Sequence, residues 1–464
     1  MKYLFLGSFA AMSLLSVVAW LWRPAVTDDG KIDLVWVSDD NPVRREQIEL
    51  FNRLYPTYRL RLDPGQGTWE KVIVQCLAGV GPDLFDCYNG FQLMAYVRSG
   101  AALDVTEAWA ERGMKLDEVW PCLTPLFADG DRIYGHPDNT HAPAVWYNKA
   151  LFDAAGIPYP APDWTWDDCI EIARKLTVRD ARDRPVQFGL MMARLEWPAV
   201  FLAQWGGRMY TPEGTRCILD SPEGVAGLQF AMDLIHKYRV MPNWTEELAM
   251  ATAGGWGMGP ISMFGAGRGA MAIGGRWWLC MLRNKDYKGL RLGAVTLPKG
   301  PYDRVFGGGR STLVNANSKH IEGALCFLEY MHGEYWNQLI NHQADALGPV
   351  IKYHYGEYEA EFLHNPEHPE EDYNATWRTA LEKAEITEVS PYVNGQAVDR
   401  VMLQETDKAW ANLKSARETL TDVTGKVNRE IVEVLRRDPV LRSRYYQDLA
   451  RGARPAWDRE EDAP

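Results

Sequence analysis

Two kinds of side chain in this sequence could hold a small molecule: flat aromatic rings, and polar groups placed at the ends of strands. Nineteen Trp beside 21 Tyr and 14 Phe is more indole than core packing usually requires, which points to large interfaces or to apolar ligand faces. Trp256 lies inside Gly254-Gly255-Trp256-Gly257, a glycine-rich loop that could carry the ring to a ligand, although core packing would use it equally well. Tyr88 and Asn89 follow Pro82-Asp83 in a strand-to-helix turn, at the sheet edge from which ligands are commonly contacted. Asp40, with Ser38 and Asp39, follows the first strand in the same way and is equally suited to opening a helix. Asp83, at a strand end, reads as a cap for the following turn. Arg276 and Arg310 would direct the site toward carboxylates or phosphates if both faced it, because a guanidinium pairs with either bidentately.

Bond-making chemistry has no comparable signature. The sequence contains no G-x-S-x-G, no H-E-x-x-H and no G-x-x-x-x-G-K-[ST], so esterase, zincin and P-loop readings fall away. A glycoside hydrolase would use the same aromatic plates but needs two carboxylates about 5–9.5 Å apart, one with a raised pKa, and nothing marks such a pair. His364 and His368 have metal-like spacing, yet they lie around the acidic loop 365–372 with no cysteine partner, so neither metal nor cofactor is expected. With 62 acidic against 50 basic residues the formal charge is -12, which counts against a nucleic-acid partner.

The elements that must position these groups alternate. Lys31 to Val37 reads as a strand, and Asn41-Pro42 as the cap and first turn of a helix whose buried stripe is Ile48, Phe51 and Tyr55. A strand from Tyr58 to Leu62 and a helix from Trp69 to Ala78 follow, and this order indicates a parallel sheet with helices on its faces. The alternation recurs in helices opened by Thr165 (a capping box with Asp168), by Ser221 and by Ser318, in a strand within 290–297, and in a mostly helical stretch from Ala397 to Arg437. A length of 464 residues allows two or three domains.

The first 22 residues stand apart. Lys2 precedes an uncharged run from Tyr3 to Trp22, about 20 residues and so long enough to span a membrane. With no A-x-A site after it, and Trp20 and Trp22 at its end, an uncleaved signal-anchor is favoured over a cleaved signal peptide. The charge balance around the run places the remainder outside the cytoplasm, tethered to the inner membrane. Seven scattered cysteines form no readable disulfide framework; Cys76 and Cys87 could pair, and most read as small buried hydrophobes.

Several segments in order resemble the family 1 extracellular solute-binding proteins of bacterial ABC importers, the maltose-binding-protein type. They are Gly79-Val80-Gly81-Pro82-Asp83, Tyr134-Gly135-His136-Pro137, Tyr147-Asn148-Lys149-Ala150-Leu151-Phe152, Ala155-Gly156-Ile157 with Thr165-Trp166-Asp167-Asp168, Gly269-Ala270-Met271 with Gly275-Arg276-Trp277, and Leu347-Gly348-Pro349-Val350. The resemblance implies an α/β, two-lobed fold of type II whose lobes are joined by crossing hinge strands and close on a ligand between them. After an N-terminal segment of 1–30, lobe 1 would comprise 31–140 and 309–346, and lobe 2 would comprise 141–308 and 347–464. The hinge would include Gly307, Gly308, Gly309 and Gly348, with glycine absorbing the backbone change of closure. Tyr147 and Trp277 match aromatics that stack on sugar in relatives, and His141 falls where some place a polar contact. The resemblance thus implies a monomeric extracytoplasmic receptor, not an enzyme, that captures a carbohydrate and delivers it to an ABC permease. A glycoside hydrolase, a receptor for a non-sugar solute and a lobe feeding a membrane sensor are the competing readings.

Overall fold

The alternation near the amino terminus becomes the centre of a five-stranded sheet. Leu34, Trp36 and Val37, on the strand Ile32–Val37, are buried between the layers. The computed structural model describes residues 29–451 apart from 66–68, 251–258, 284–286 and 288, with positions 12, 13 and 16 described as well. Across the first sheet the strands run Tyr58–Asp63, Ile32–Val37, Leu84–Cys87, Gly308–Val314 and Gly135–His141. The first three are parallel, and Gly308–Val314 runs antiparallel to both of its neighbours. The helices Arg44–Leu54 and Ile321–His332 cover one face, where the Phe327 ring lies 5.1 Å from both Trp36 and Phe51, edge to face. Rings that large in such an arrangement add roughly 0.5–1.5 kcal/mol per pair beyond their buried area.

The entry to that first helix differs from the expected one. The helix begins at Arg44, with Val43 as its N-cap, and Asn41 instead forms a turn in which its Oδ1 accepts from the Val43 amide at 3.1 Å. The Asn41 amide is engaged elsewhere, on Asp345 at 3.4 Å, and this long-range bond competes with capping. Other entries follow their local signals: Thr165 and Asp168 form a reciprocal capping box, and Ser221 accepts from the Gly224 amide.

The second sheet runs Leu292–Val295, Ala144–Asn148, Gly269–Gly274, Pro185–Met192 and Val178–Arg179, with only Gly269–Gly274 and Pro185–Met192 parallel. The helix Trp166–Leu176 packs directly on it. A Cβ on Gly189 would stand 1.9 Å from the Ala173 carbonyl oxygen, so no other residue allows that approach. Pro222–His236 and Ala416–Arg437 complete the layer on the same side.

Three stretches of chain join the two sheets. Only Ala142 and Pro143 separate the strand ending at His141 from the one beginning at Ala144. The chain returns between Val295 and Gly308, and crosses again near Leu347, which exchanges two backbone hydrogen bonds with Thr140, at 2.8 and 3.0 Å. The glycines expected to give these crossings their freedom serve a different end. None of Gly307, Gly308, Gly309 and Gly348 has a positive φ. A Cβ on Gly309 would lie 2.3 Å from the Asn139 oxygen, one on Gly307 2.7 Å from Ala384, and one on Gly348 2.7 Å from Asn337; only Gly308 would accept one, in ordinary contact 3.7 Å from His141. Close approach of neighbouring chain, more than torsional latitude, accounts for three of the four.

Most of the expected anchor lies outside the described residues, and among the described residues no helix is long and apolar enough to cross a membrane. All seven cysteines, Cys76 and Cys87 included, are free thiols.

Candidate functional site

A cavity of about 260 Å³ opens between the sheets, beside the crossings. Its floor is built by the first sheet. Asp39 and Asn41 come from the turn after Ile32–Val37, Tyr88 from the turn after Leu84–Cys87, Asn139 and His141 from the end of Gly135–His141, and Gly309 and Arg310 from the start of Gly308–Val314. Asp345 and Ala346 enter from the third crossing. The opposite wall is supplied by the second sheet, through Glu196 and Trp277.

The floor is an electrostatic network in which, among the buried atoms of its charged groups, Arg44 Nε and Asp138 Oδ1 alone lack a hydrogen-bond partner. Arg310, 2% exposed, reaches Asp138 at 2.7 Å, Asp39 at 2.9 Å, Asp86 at 3.4 Å and Asp345 at 3.5 Å. Arg44 reaches Asp39 at 2.5 Å and Asp345 at 2.9 Å, and also binds Gln47. Burial alone would lower the affinity of Arg310 for its proton, but the four carboxylates hold its pKa well above the usual value. Burial likewise would raise Asp345, yet Arg44 and Arg310 outweigh it and bring it down to about 2. Asp86 is farther from compensation and burial pushes it up to about 7; it accepts from Trp36 Nε1 at 2.7 Å and from Ser38 Oγ at 2.5 Å. Asp83 does not cap the turn after it as expected; just ahead of the strand Leu84–Cys87, it accepts from the Val35 amide on the adjacent strand and from the Ser318 hydroxyl, tying distant segments together.

The opposite wall is sparsely bonded by comparison. No hydrogen bond or ion pair is made by the Glu196 carboxylate among the described residues, and burial raises its pKa to about 7. His141, at the rim, is pushed down to about 4 by burial and is neutral at ordinary pH. Trp277 is partly exposed to the cavity and packs edge-on to Trp278.

Of the residues selected from sequence, Tyr88, His141, Trp277 and Arg310 meet in this cavity. Asn89 does not line it; its side chain caps the helix Gly90–Ser99 by accepting from the Gln92 amide at 3.0 Å. Asp40 is exposed, and its neighbour Asp39 takes the inward position. Tyr147 is 8% exposed in the second lobe's core, between Phe152 and Tyr159, where period-two alternation turns it away from the cleft. Arg276 is buried without a carboxylate. It donates to the carbonyls of Asn341, Gln343 and Ala346 and to Asn374, and burial lowers its pKa to about 10. Trp256 lies outside the described residues. Asn139, Glu196 and Asp345 were not selected from sequence, and none sits in a motif that would have marked it.

His368, Glu370 and Glu371 bring ligand atoms within 4.8 Å of one another, but Arg283 already binds both oxygens of Glu371 at 2.8 Å, so the group is a poor cation site.

The cavity can therefore stack a flat apolar face and exchange hydrogen bonds around its edge. A family model for bacterial extracellular solute-binding proteins matches residues 37–334. An uncharacterized ABC transporter extracellular-binding protein of Pyrococcus horikoshii is 25% identical over 276 residues, 55% of this chain and 57% of that protein, so the match spans little more than half of the relative. An ABC substrate-binding protein of Listeria monocytogenes in complex with cycloalternan shares the fold, with a TM-score of 0.72 at 20% identity over 86% of this chain and 98% of that one. UgpB of Mycobacterium tuberculosis in complex with glycerophosphocholine does so with a TM-score of 0.68 at 19% identity, over 88% and 99%.

Proposed function

The chain belongs to the bacterial extracellular solute-binding proteins that serve ABC transporters, and from that premise we propose that it captures a carbohydrate between its lobes and presents it to the importer's permease. One observation carries the choice of ligand class: the arginine in the cleft is already committed to carboxylates, while the lining also presents an indole, Trp277, and the carboxyl group of Glu196. A sugar offers apolar C–H faces to the ring and hydroxyl donors to the rim. A phosphate-bearing solute, like the one seated in the Mycobacterium tuberculosis structure, would meet carboxylates with no uncommitted cation among the described lining residues. Stacking and hydroxyl bonds offset the cost of closing the lobes, and the closed form is the one the permease engages.

We read the protein as acting by binding, without bond-making chemistry, in keeping with its family of solute-binding proteins. We assign the apolar run Tyr3–Trp22 the role of an inner-membrane tether for a monomeric receptor; membrane fractionation of the full chain against one starting at residue 30 tests it. The ligand assignment is tested by tryptophan fluorescence and calorimetry against mono- and oligosaccharides, glycerophosphodiesters and inorganic phosphate. Saturable binding of a saccharide is the expected result. A response confined to the phosphates, or steady hydrolysis of a glycoside, overturns it.

A further inference from the structure

The two walls of the cleft do not balance in charge. Asp39, Asp86, Asp138 and Asp345 share two guanidinium groups, those of Arg44 and Arg310, so the floor carries a formal excess of carboxyl groups, of which burial raises the pKa of Asp86 and Asp138, and Asp39 and Asp345 line the cavity. Glu196 adds a further carboxyl group from the second wall, with no hydrogen bond or ion pair to it among the described residues. The cation nearest in sequence, Arg194, is turned away: it binds Asp407 at 2.7 Å and lies 4.0 Å over the Trp244 ring. The imidazole of His141 lines the same cavity but is held neutral by its burial. Glu196 is half-buried in the cavity wall, and a carboxyl group there is held ionised most strongly by a cation beside it. The missing partner is then expected from the ligand.

We propose that the cleft selects an amine-bearing sugar, with its protonated amino group held by Glu196 and the acidic floor while the ring stacks on Trp277. This rests on the carbohydrate reading and narrows it. An ammonium supplies three donors and a full charge, where a hydroxyl at the same ring position supplies one donor. Hydrogen bonds between charged partners are roughly twice as strong as neutral ones. The indole face strengthens the same preference, since a cation beside an aromatic ring is attracted to its π-electrons. An N-acetylated sugar has the same skeleton but no charge, and should lose the advantage.

The test is calorimetry of the full chain in detergent at pH 7.5 with three matched series: glucose, glucosamine and N-acetylglucosamine; the galacto equivalents; and the manno equivalents. In at least one series the amine should bind ten-fold or more tighter than both the hydroxyl and the N-acetyl members. Glu196→Gln should remove at least ten-fold of the amine's affinity while changing the neutral sugar's by less than three-fold. The ranking within wild-type protein is informative even if that variant unfolds. A neutral member that binds as tightly as its amine, or a variant that weakens both equally, overturns the amine preference and leaves the carbohydrate reading standing. Failure of every saccharide to bind overturns both.

Discussion

The two walls of the cleft are built on opposite plans. The first lobe lines the cleft with groups that are largely bonded to one another: two arginines and four aspartates form one network, with Asn41, Asn139 and Gln47 filling positions on Asp345, though Arg44 Nε and Asp138 Oδ1 are left without a partner. The second lobe contributes Glu196 and Trp277, and the carboxylate of Glu196 has no internal partner among the described residues. A pre-ordered wall costs little to reorganise when ligand arrives, and an unsatisfied wall gains most from it. The contrast suggests that rigidity resides in one lobe and selectivity in the other.

The harshest way to break this contrast is to open the locked wall. Arg310→Met would leave Asp138 without its cation and Asp39 with Arg44 alone, and should cost about 3–5 kcal/mol of stability, measured by denaturant unfolding. Next in size, Tyr147→Ala should cost about 3 kcal/mol through the void left in the second core, with ligand affinity altered only as the fold weakens. Trp277→Ala should do the reverse: unfolding stays near wild type, while saccharide binding weakens about ten-fold, equivalent to about 1.4 kcal/mol. If Trp277→Ala unfolds the protein, the second wall is core and the contrast fails.

A gentler probe is pH. His141 has a folded pKa of about 4, below that of the unfolded chain, so the unfolded state binds more protons between the two values. Its contribution is fully present above about pH 6.5 and is lost as pH falls toward 4. His141→Gln should therefore flatten the acid side of a thermal-stability profile, by up to about 1.4 kcal/mol per pH unit. The smallest effect is expected from Asp40→Asn, within about 0.5 kcal/mol in stability and without change in binding, since Asp40 faces solvent beside the residue that matters.

What the sequence made legible follows the range of the interaction. The capping box at Thr165 and the entry at Ser221 are settled within four residues, and both were readable. The helix entry at Asn41 was not, because its amide answers to Asp345, some 300 residues later. The same distance hid Asp345 itself, an acidic residue in an unremarkable Ala-Asp-Ala whose partners, Arg44 and Arg310, come from two other segments. Family motifs located Trp277 but also pointed to Tyr147, whose side chain the strand's alternation turns into the core. Arg276 misled for a related reason: its type suggests anions, whereas three backbone carbonyls occupy it.

That arginine has a mechanical consequence. It sits next to Trp277 in sequence, and its guanidinium grips the carbonyls on either side of Asp345, at Gln343 and Ala346. The indole that lines one wall and the residue that anchors the opposite wall's charges are thereby joined through one side chain and one short loop. A displacement of the backbone at 276–277 would be carried by this arginine to the loop that holds Asp345.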